Sequence, residues 1–360
     1  MNYGKRRFVL AATLILCFVA IFYWINEWNL DLLTNGIWIL AISDVTLLDV
    51  NCLNNLEEGK VCSNPSVVSR YQRDGLERVK MTQNAAKDYV IVHYLDGDRA
   101  FQRFDTTATV LSYQENGIVR RINVLVPKNI SDFIRQYRHG RFLKCGGVNV
   151  TGRLPQFSNR IIPLSFVEYL AEFRDLMWRY NTTAFILSGT LLGWRRECSI
   201  IPHTEDIDFG ALIEEFSEEF YEKLKRNSLR DFRPKYILGN PRNSLEIKMT
   251  VANRPLDLFY VYPNASKNSS EIYGMRWWWR EPLRYTYPRI RDLCAGDLLG
   301  RLMYVPCNVD KVLEADYGRD WEVDKPTNAK TNAYTWDRTP NMEVLPRYNG
   351  TEWPNYFYQF

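Results

Sequence analysis

The chain has 360 residues, 46% hydrophobic and 24% charged. That length suits one large domain or two moderate ones, and the composition is ordinary for a globular protein. Of the formal charge of +4, three positive charges are Lys5, Arg6 and Arg7; the remainder is near neutral without a basic block, so a polynucleotide partner is not expected.

Behind Lys5-Arg6-Arg7 come 18 uncharged residues, Phe8 to Ile25, closed by Tyr23 and Trp24. A helix of that length spans a thin hydrocarbon core, and aromatics favour the interface. No small-x-small cleavage site follows in residues 26–30. The expected layout is therefore a cytosolic tail at 1–7, a transmembrane signal anchor at 8–25 and a lumenal remainder, in a single-pass type II protein of the Golgi or endoplasmic reticulum membrane. Six glycosylation sequons agree with that address: Asn129, Asn149, Asn181, Asn264, Asn268 and Asn349. Beyond Cys17 in the anchor, six cysteines remain, an even number suited to disulfides, with Cys52–Cys62 the locally favoured pair. Cysteine spacing and three His argue against structural zinc.

Residues 26–64 read as a stem with an apolar stretch at 36–42. Residues 65–155 read as a smaller β-rich lumenal domain, with alternating runs at 88–94 and 118–126 and turns at Asp96-Gly-Asp98 and Asn116-Gly117. Residues 156–360 read as the catalytic domain. It opens with a helix in which Ser165 and Glu168 have capping-box spacing and Phe166, Leu170, Phe173, Met177 and Tyr180 recur at helical intervals. A strand from Thr183 to Leu187 and a short helix from Leu191 to Glu197 follow. Phe216, Phe220 and Leu224 mark a further helix. Residues 245–251 and 256–262 flank Asn253-Arg-Pro255 as a hairpin. After Asp320 the chain reads as an ordered wrapping tail, because Trp321, Trp336 and Trp353 are costly to expose.

The chemistry concentrates in Leu187-Ser-Gly-Thr-Leu-Leu-Gly193 and Asp206-Ile-Asp208. Strand residues i and i+2 share a face, so Asp206 and Asp208 present their carboxylates together while Ile207 turns to the core. Asp257, in an apolar strand, adds a third metal ligand or a base. Hard divalent cations take carboxylate oxygens, and a cation relieves the mutual repulsion of grouped acids. Upstream, Ser188, Gly189 and Thr190 sit where a strand enters a helix, a place whose backbone N–H groups bind phosphate. Arg195 or Arg196 faces the anion from that helix. His203 is suited to phosphate or to a loop hydrogen bond. Lys248 points either to the site or to solvent. Trp277-Trp278-Trp279 suits stacking on cytosine or sugar, or plain packing.

Gly-Thr, then Asp-x-Asp, then a lone Asp in an apolar strand resembles the nucleotidyltransferase superfamily of the DNA polymerase β type. The run from Leu187 to Asp208 resembles its LicD branch, with the fukutin-type members. Val305-Pro-Cys307, Ala315 to Trp321, Tyr334 to Asp337 and Trp353-Pro354 extend the likeness over residues 165–360. Arg195-Arg196 departs from the aromatic-Arg pair common there, which makes Arg196 the functional arginine. The resemblance implies an α+β fold with a mixed-sheet catalytic domain. It also implies metal-dependent (Mg2+ or Mn2+) transfer of ribitol 5-phosphate or phosphocholine from a CDP-linked donor to a glycoprotein glycan, with release of CMP. The implied ligands are Asp206, Asp208 and Asp257 for metal, and Gly189, Thr190, Arg196, His203 and Lys248 for substrate. Implied partners are the donor, the glycan, the membrane through one helix and, as an open option, a homo- or hetero-oligomer with other glycan-modifying enzymes. Two alternatives stand beside this reading. One is a metal-dependent glycosyltransferase using a nucleotide sugar, which needs neither the Gly-Thr turn nor Asp257. The other is a non-catalytic glycan-binding scaffold, for which three intact acids serve no purpose.

Overall fold

A computed structural model describes residues 46–47, 50–61, 79–81, 89–90, 92–94, 106–115, 117–148, 150, 158–324 and 339–360. The expected anchor at 8–25, the apolar stretch at 36–42, Cys62, Asn149 and Trp336 lie outside the described residues. Among the described residues no helix is long and apolar enough to cross a membrane. The chain forms two compact units.

In the first unit, β1 (Thr106–Glu115) and β2 (Ile118–Pro127) pair antiparallel along their whole lengths. Gly117 turns the hairpin at φ +80°, a conformation open to glycine. Helix α1 (Val50–Glu57) packs on α2 (Ile130–Arg138), and Asn129 Oδ1 accepts the Asp132 N–H at 3.0 Å at the start of α2. Cys52, Leu53, Leu111, Val126, Phe133 and Ile134 form the buried core. Cys52 is disulfide-bonded.

Of the described residues, those from 139 onward form the second unit. Residues 139–148 fall here rather than with the β-rich half, for reasons invisible to local pattern. Leu143 N–H donates to Ala295 O, Gly146 N–H to Arg195 O and Val148 N–H to Arg196 O, and Cys145 is bonded to Cys198. Helix α3 (Val167–Arg179) buries Leu170, Phe173 and Met177 as the periodicity predicts. It starts later than expected, after a single 3-10 turn at Leu164–Phe166. Its N-cap is Phe166 without a side-chain cap, and Glu168 pairs with Arg301 instead of closing a capping box.

The remaining elements are β3 (Phe185–Ile186), α4 (Ser188–Glu197), β4 (Ile207–Leu212), α5 (Glu218–Lys225), β5 (Arg233–Leu238), β6 (Glu246–Val251), β7 (Arg254–Asn264), β8 (Ser269–Arg276), β9 (Glu281–Pro288), β10 (Leu293–Leu298), β11 (Arg301–Pro306), α6 (Val309–Tyr317), β12 (Met342–Val344) and β13 (Phe357–Gln359). They build a mixed sheet of order β10-β11-β3-β4-β7-β6-β5-β13, extended through β7 by β8, β9 and β12. The β4/β7 and β3/β11 pairs are parallel. Ala252 and Asn253 turn the β6/β7 hairpin at φ +46° and +63°, both left-handed, as a twisted two-residue turn requires. The turn thus comes earlier than the Asn253-Arg-Pro255 expected; Pro255 already lies in β7, one residue before its ladder to β4 begins at Leu256. The Cys294–Cys307 disulfide joins β10 to the end of β11.

Gly210 sits opposite Phe185 in the ladder, and a Cβ there would lie 2.5 Å from the buried ring. Gly210→Ala should therefore destabilise the protein by about 1–3 kcal/mol, read by chemical denaturation, with partial recovery on adding Phe185→Leu. Unchanged stability would show that the ring does not press on this strand.

Candidate active site

Two strand registers build the site. Asp208 of β4 is the ladder partner of Asp257 of β7, and Asp257 is the partner of Lys248 of β6. Directly opposed residues project to the same face, so two acids and an ammonium form one row. Asp206, two residues before Asp208, joins them. Oxygens of Asp206, Asp208 and Asp257 all lie within 4.8 Å of one another. This all-oxygen donor set suits a hard divalent cation.

The row is held from both sides. Lys248 Nζ stands 2.5 Å from Asp257 Oδ2 and 2.8 Å from Glu246 Oε1. On the other flank, the Asp208 N–H donates to Thr190 Oγ1 at 2.9 Å. Helix α4 is entered through Leu187, extended, and Ser188, at φ +46°. This turn lays Gly189 over the acids: a Cβ there would reach within 3.8 Å of Asp208 Oδ2. A glycine leaves that space open to a ligand.

The electrostatics are those of crowded, dehydrated carboxyls. Burial, then the charges of Asp206 and Asp257, pushes Asp208 well above the usual carboxylate range. Burial, then Asp257, pushes Asp206 up as well. Burial raises Glu246 to about 7. The Lys248 ammonium is opposed by burial, yet Glu246 and Asp257 hold it well above an ordinary lysine.

The acids open into a cavity of about 700 Å3, into which Gly189, His203, Lys248, Trp278 and Tyr317 also face. Of the residues expected to bind substrate, Gly189, His203 and Lys248 therefore stand with the acids. Thr190 does not face the cavity; it is buried and its hydroxyl braces β4. Arg196 reaches the cavity wall, but its guanidinium is buried against Glu197 at 2.6 Å and Asp324 at 3.0 Å. Such a clamped cation anchors the C-terminal segment. Arg195 is turned away, onto Asp310 and Lys144 O.

Two buried acids in the wall are not among the site residues that the sequence suggests. Glu246 sits beside Lys248, with an alternating strand as its only local signal. Asp316 of α6 is 2% exposed, accepts from Asn341 Nδ2 at 3.0 Å and is hydrogen-bonded by Tyr287. Its partners lie on other elements, so no spacing announces it. Tyr317 and Trp321 also line the cavity. Among the sequon asparagines, Asn129, Asn181, Asn268 and Asn349 are exposed, whereas Asn264 is half-buried and donates to Glu271.

Residues 181–308 match the family model of the LicD/FKTN/FKRP nucleotidyltransferase domain. Thus the chain resembles LicD and fukutin proteins over the stretch that carries Gly189, Lys248 and the three acids. An uncharacterized protein of Caenorhabditis elegans is 34% identical over 224 residues, 60% of this chain and 57% of the relative. A second from the same organism is 27% identical over 310 residues, 81% of this chain and 76% of the relative. The human ribitol-5-phosphate transferase FKTN is 26% identical over 240 residues, 65% of this chain and 49% of that protein. The chain thus spans about half the length of the fukutin it matches.

Burial raises Asp316 to about 7, against about 4 in an unfolded chain. The folded state binds the extra proton between those values, so the protein loses stability as pH rises through that window. Asp316→Asn should abolish that component and raise stability at pH 8 by on the order of 2–4 kcal/mol. Denaturation series at pH 4 and pH 8 on both proteins check it; parallel pH profiles would refute it.

Proposed function

We propose that this protein transfers an alditol phosphate of the ribitol 5-phosphate kind, or phosphocholine, from a CDP-linked donor to a glycan, releasing CMP. The observation that carries the reading is the in-register Asp208–Asp257 pair with Asp206, lying beneath Gly189 at the start of α4. The likeness to a ribitol-5-phosphate transferase supports the choice of transferred group. The transfer itself is an in-line displacement. An acceptor hydroxyl oxygen bonds to the phosphorus that bears the alditol or choline, the bond from that phosphorus to the bridging oxygen breaks, and that oxygen leaves on CMP. The hydroxyl proton is lost to solvent.

Each residue has a defined part. Asp206, Asp208 and Asp257 would hold a divalent cation, Mg2+ or Mn2+. When bound, that ion neutralises the diphosphate and the charge that builds on its departing oxygens. The open backbone at Ser188-Gly189 lets a phosphate approach the start of α4. Lys248 keeps the Asp257 carboxylate in place and adds positive charge to the same row. His203 faces the donor space. The Cys145–Cys198 and Cys294–Cys307 disulfides favour an oxidising, lumenal address, which agrees with a glycoprotein acceptor in the Golgi or endoplasmic reticulum.

A donor panel of CDP-ribitol, CDP-glycerol and CDP-choline, incubated with Mg2+ or Mn2+ and glycan acceptors, should release CMP from at least one. Asp206→Ala or Asp208→Ala should lower that release by about 1,000-fold or more, as loss of a group stabilising transition-state charge does, while far-UV circular dichroism stays unchanged. UDP or GDP release from nucleotide sugars, with none of CMP, would point instead to glycosyl transfer.

A further inference from the structure

We propose that Trp278 and Trp279 form a saccharide-stacking rim that seats the acceptor glycan at the mouth of the transfer cavity; this deepens, and rests on, the glycan-acceptor reading above. Trp277–Trp279 is a 3-10 turn joining β8 to β9. Trp278 is 54% exposed and Trp279 52%. Adjoining indoles left half in water mark a surface with a partner. Trp277 and Trp278 also line the cavity that holds the acids, so the exposed patch and the candidate site are continuous.

The row of the site leads to this turn. Beyond Asp257 and Lys248 the next ladder partner is Tyr236 of β5. Its ring stacks on Trp277, with centroids 5.7 Å apart and planes 23° apart. Two strand spacings, about 10 Å, separate Asp257 from Tyr236, the scale of one to two sugar rings. The turn is also held rigid. Trp277 stacks on Phe357 (5.8 Å, 18°), Phe357 stacks on Trp353 (4.9 Å, 13°), and the Arg280 guanidinium lies 5.7 Å from the Trp353 ring. Trp278 meets Trp277 edge-on at 5.4 Å. Rings fixed before binding lose little entropy when a ligand stacks on them.

The geometry favours the acceptor over the donor. A CDP-linked donor is small enough for the cavity interior, whereas a glycan on a glycoprotein must approach over exposed surface. The turn is short and bracketed by Arg276, Arg280 and Glu281, with Arg276 bonded to Glu281 at 2.6 Å. That interleaving of rings with hydrogen-bonding groups suits the alternating apolar and hydroxyl faces of a sugar. It does not offer the unbroken apolar face that lies in a bilayer.

The test is saturation-transfer NMR with methyl β-glycosides of glucose, galactose, N-acetylglucosamine and N-acetylgalactosamine, on the wild type and on W278A/W279A. At least one glycoside should bind the wild type and bind the variant about tenfold more weakly, the range expected for losing aromatic stacking. Trp278→Phe with Trp279→Phe should restore most of the binding, which separates loss of rings from loss of fold. In the CMP assay the double alanine variant should raise the acceptor KM about tenfold and move the donor KM far less. Equal glycoside signals in both proteins, or none in the wild type, would overturn the proposal. So would ring-dependent binding to phosphatidylcholine vesicles with no saccharide signal, which would assign the turn to a membrane. The NMR arm needs no turnover, so a silent CMP assay alongside ring-dependent glycoside binding would reject the transferase reading alone.

Discussion

Everything at this site depends on one register. With Asp208 of β4 set beside Asp257 of β7, and Asp257 beside Lys248 of β6, two acids and a cation share a row on one face of the sheet. A slip of one residue on any of the three strands would send its member of the row to the opposite face. The register is defended by apolar neighbours that must stay buried. Ile207, Phe209, Leu256, Leu258, Ile247 and Met249 alternate with the row and are all at most 1% exposed. Core packing therefore fixes the row, and the row costs stability, since burial and mutual repulsion both raise Asp208. Lys248 offsets part of that cost. Grouped buried acids with one internal counter-ion are the mark of a place built for further positive charge.

The parts visible in the sequence are those whose logic is local. The i, i+2 spacing of Asp206 and Asp208, the apolar run around Asp257 and the existence of the hairpin that carries it follow from strand geometry and turn chemistry, although the turn itself falls at Ala252-Asn253 and not at 253–255. The α3 periodicity likewise locates its buried face. The parts that stay hidden depend on distant partners. Arg196 looks like an anion-binding arginine until Asp324, far along the chain, closes on it. Thr190 looks like part of a phosphate cradle, yet its hydroxyl braces the strand that carries Asp208. Ser165 and Glu168 have the spacing of a capping box, but Arg301 competes for Glu168 and a 3-10 turn takes up Ser165. Residues 139–148 carry no strong pattern and join the second unit through backbone bonds to residues 195, 196 and 295.

The C-terminal segment extends the site instead of merely wrapping it. Asp324 neutralises Arg196, Asn341 bonds Asp316, and Phe357 and Trp353 stack beneath Trp277. The tail thereby stiffens the wall of the cavity and the aromatic turn at its mouth. A likeness to the family model ends at residue 308, before any of these contacts.

Asp206, Asp208 and Asp257 have the grouping of a cation site. Isothermal titration of Mn2+ into the wild-type protein and into Asp257→Asn tests it most directly. One saturable site per wild-type chain is expected, and loss of that site in the variant, with both proteins folded. Absence of binding in the wild type, or equal binding in the two proteins, would contradict it.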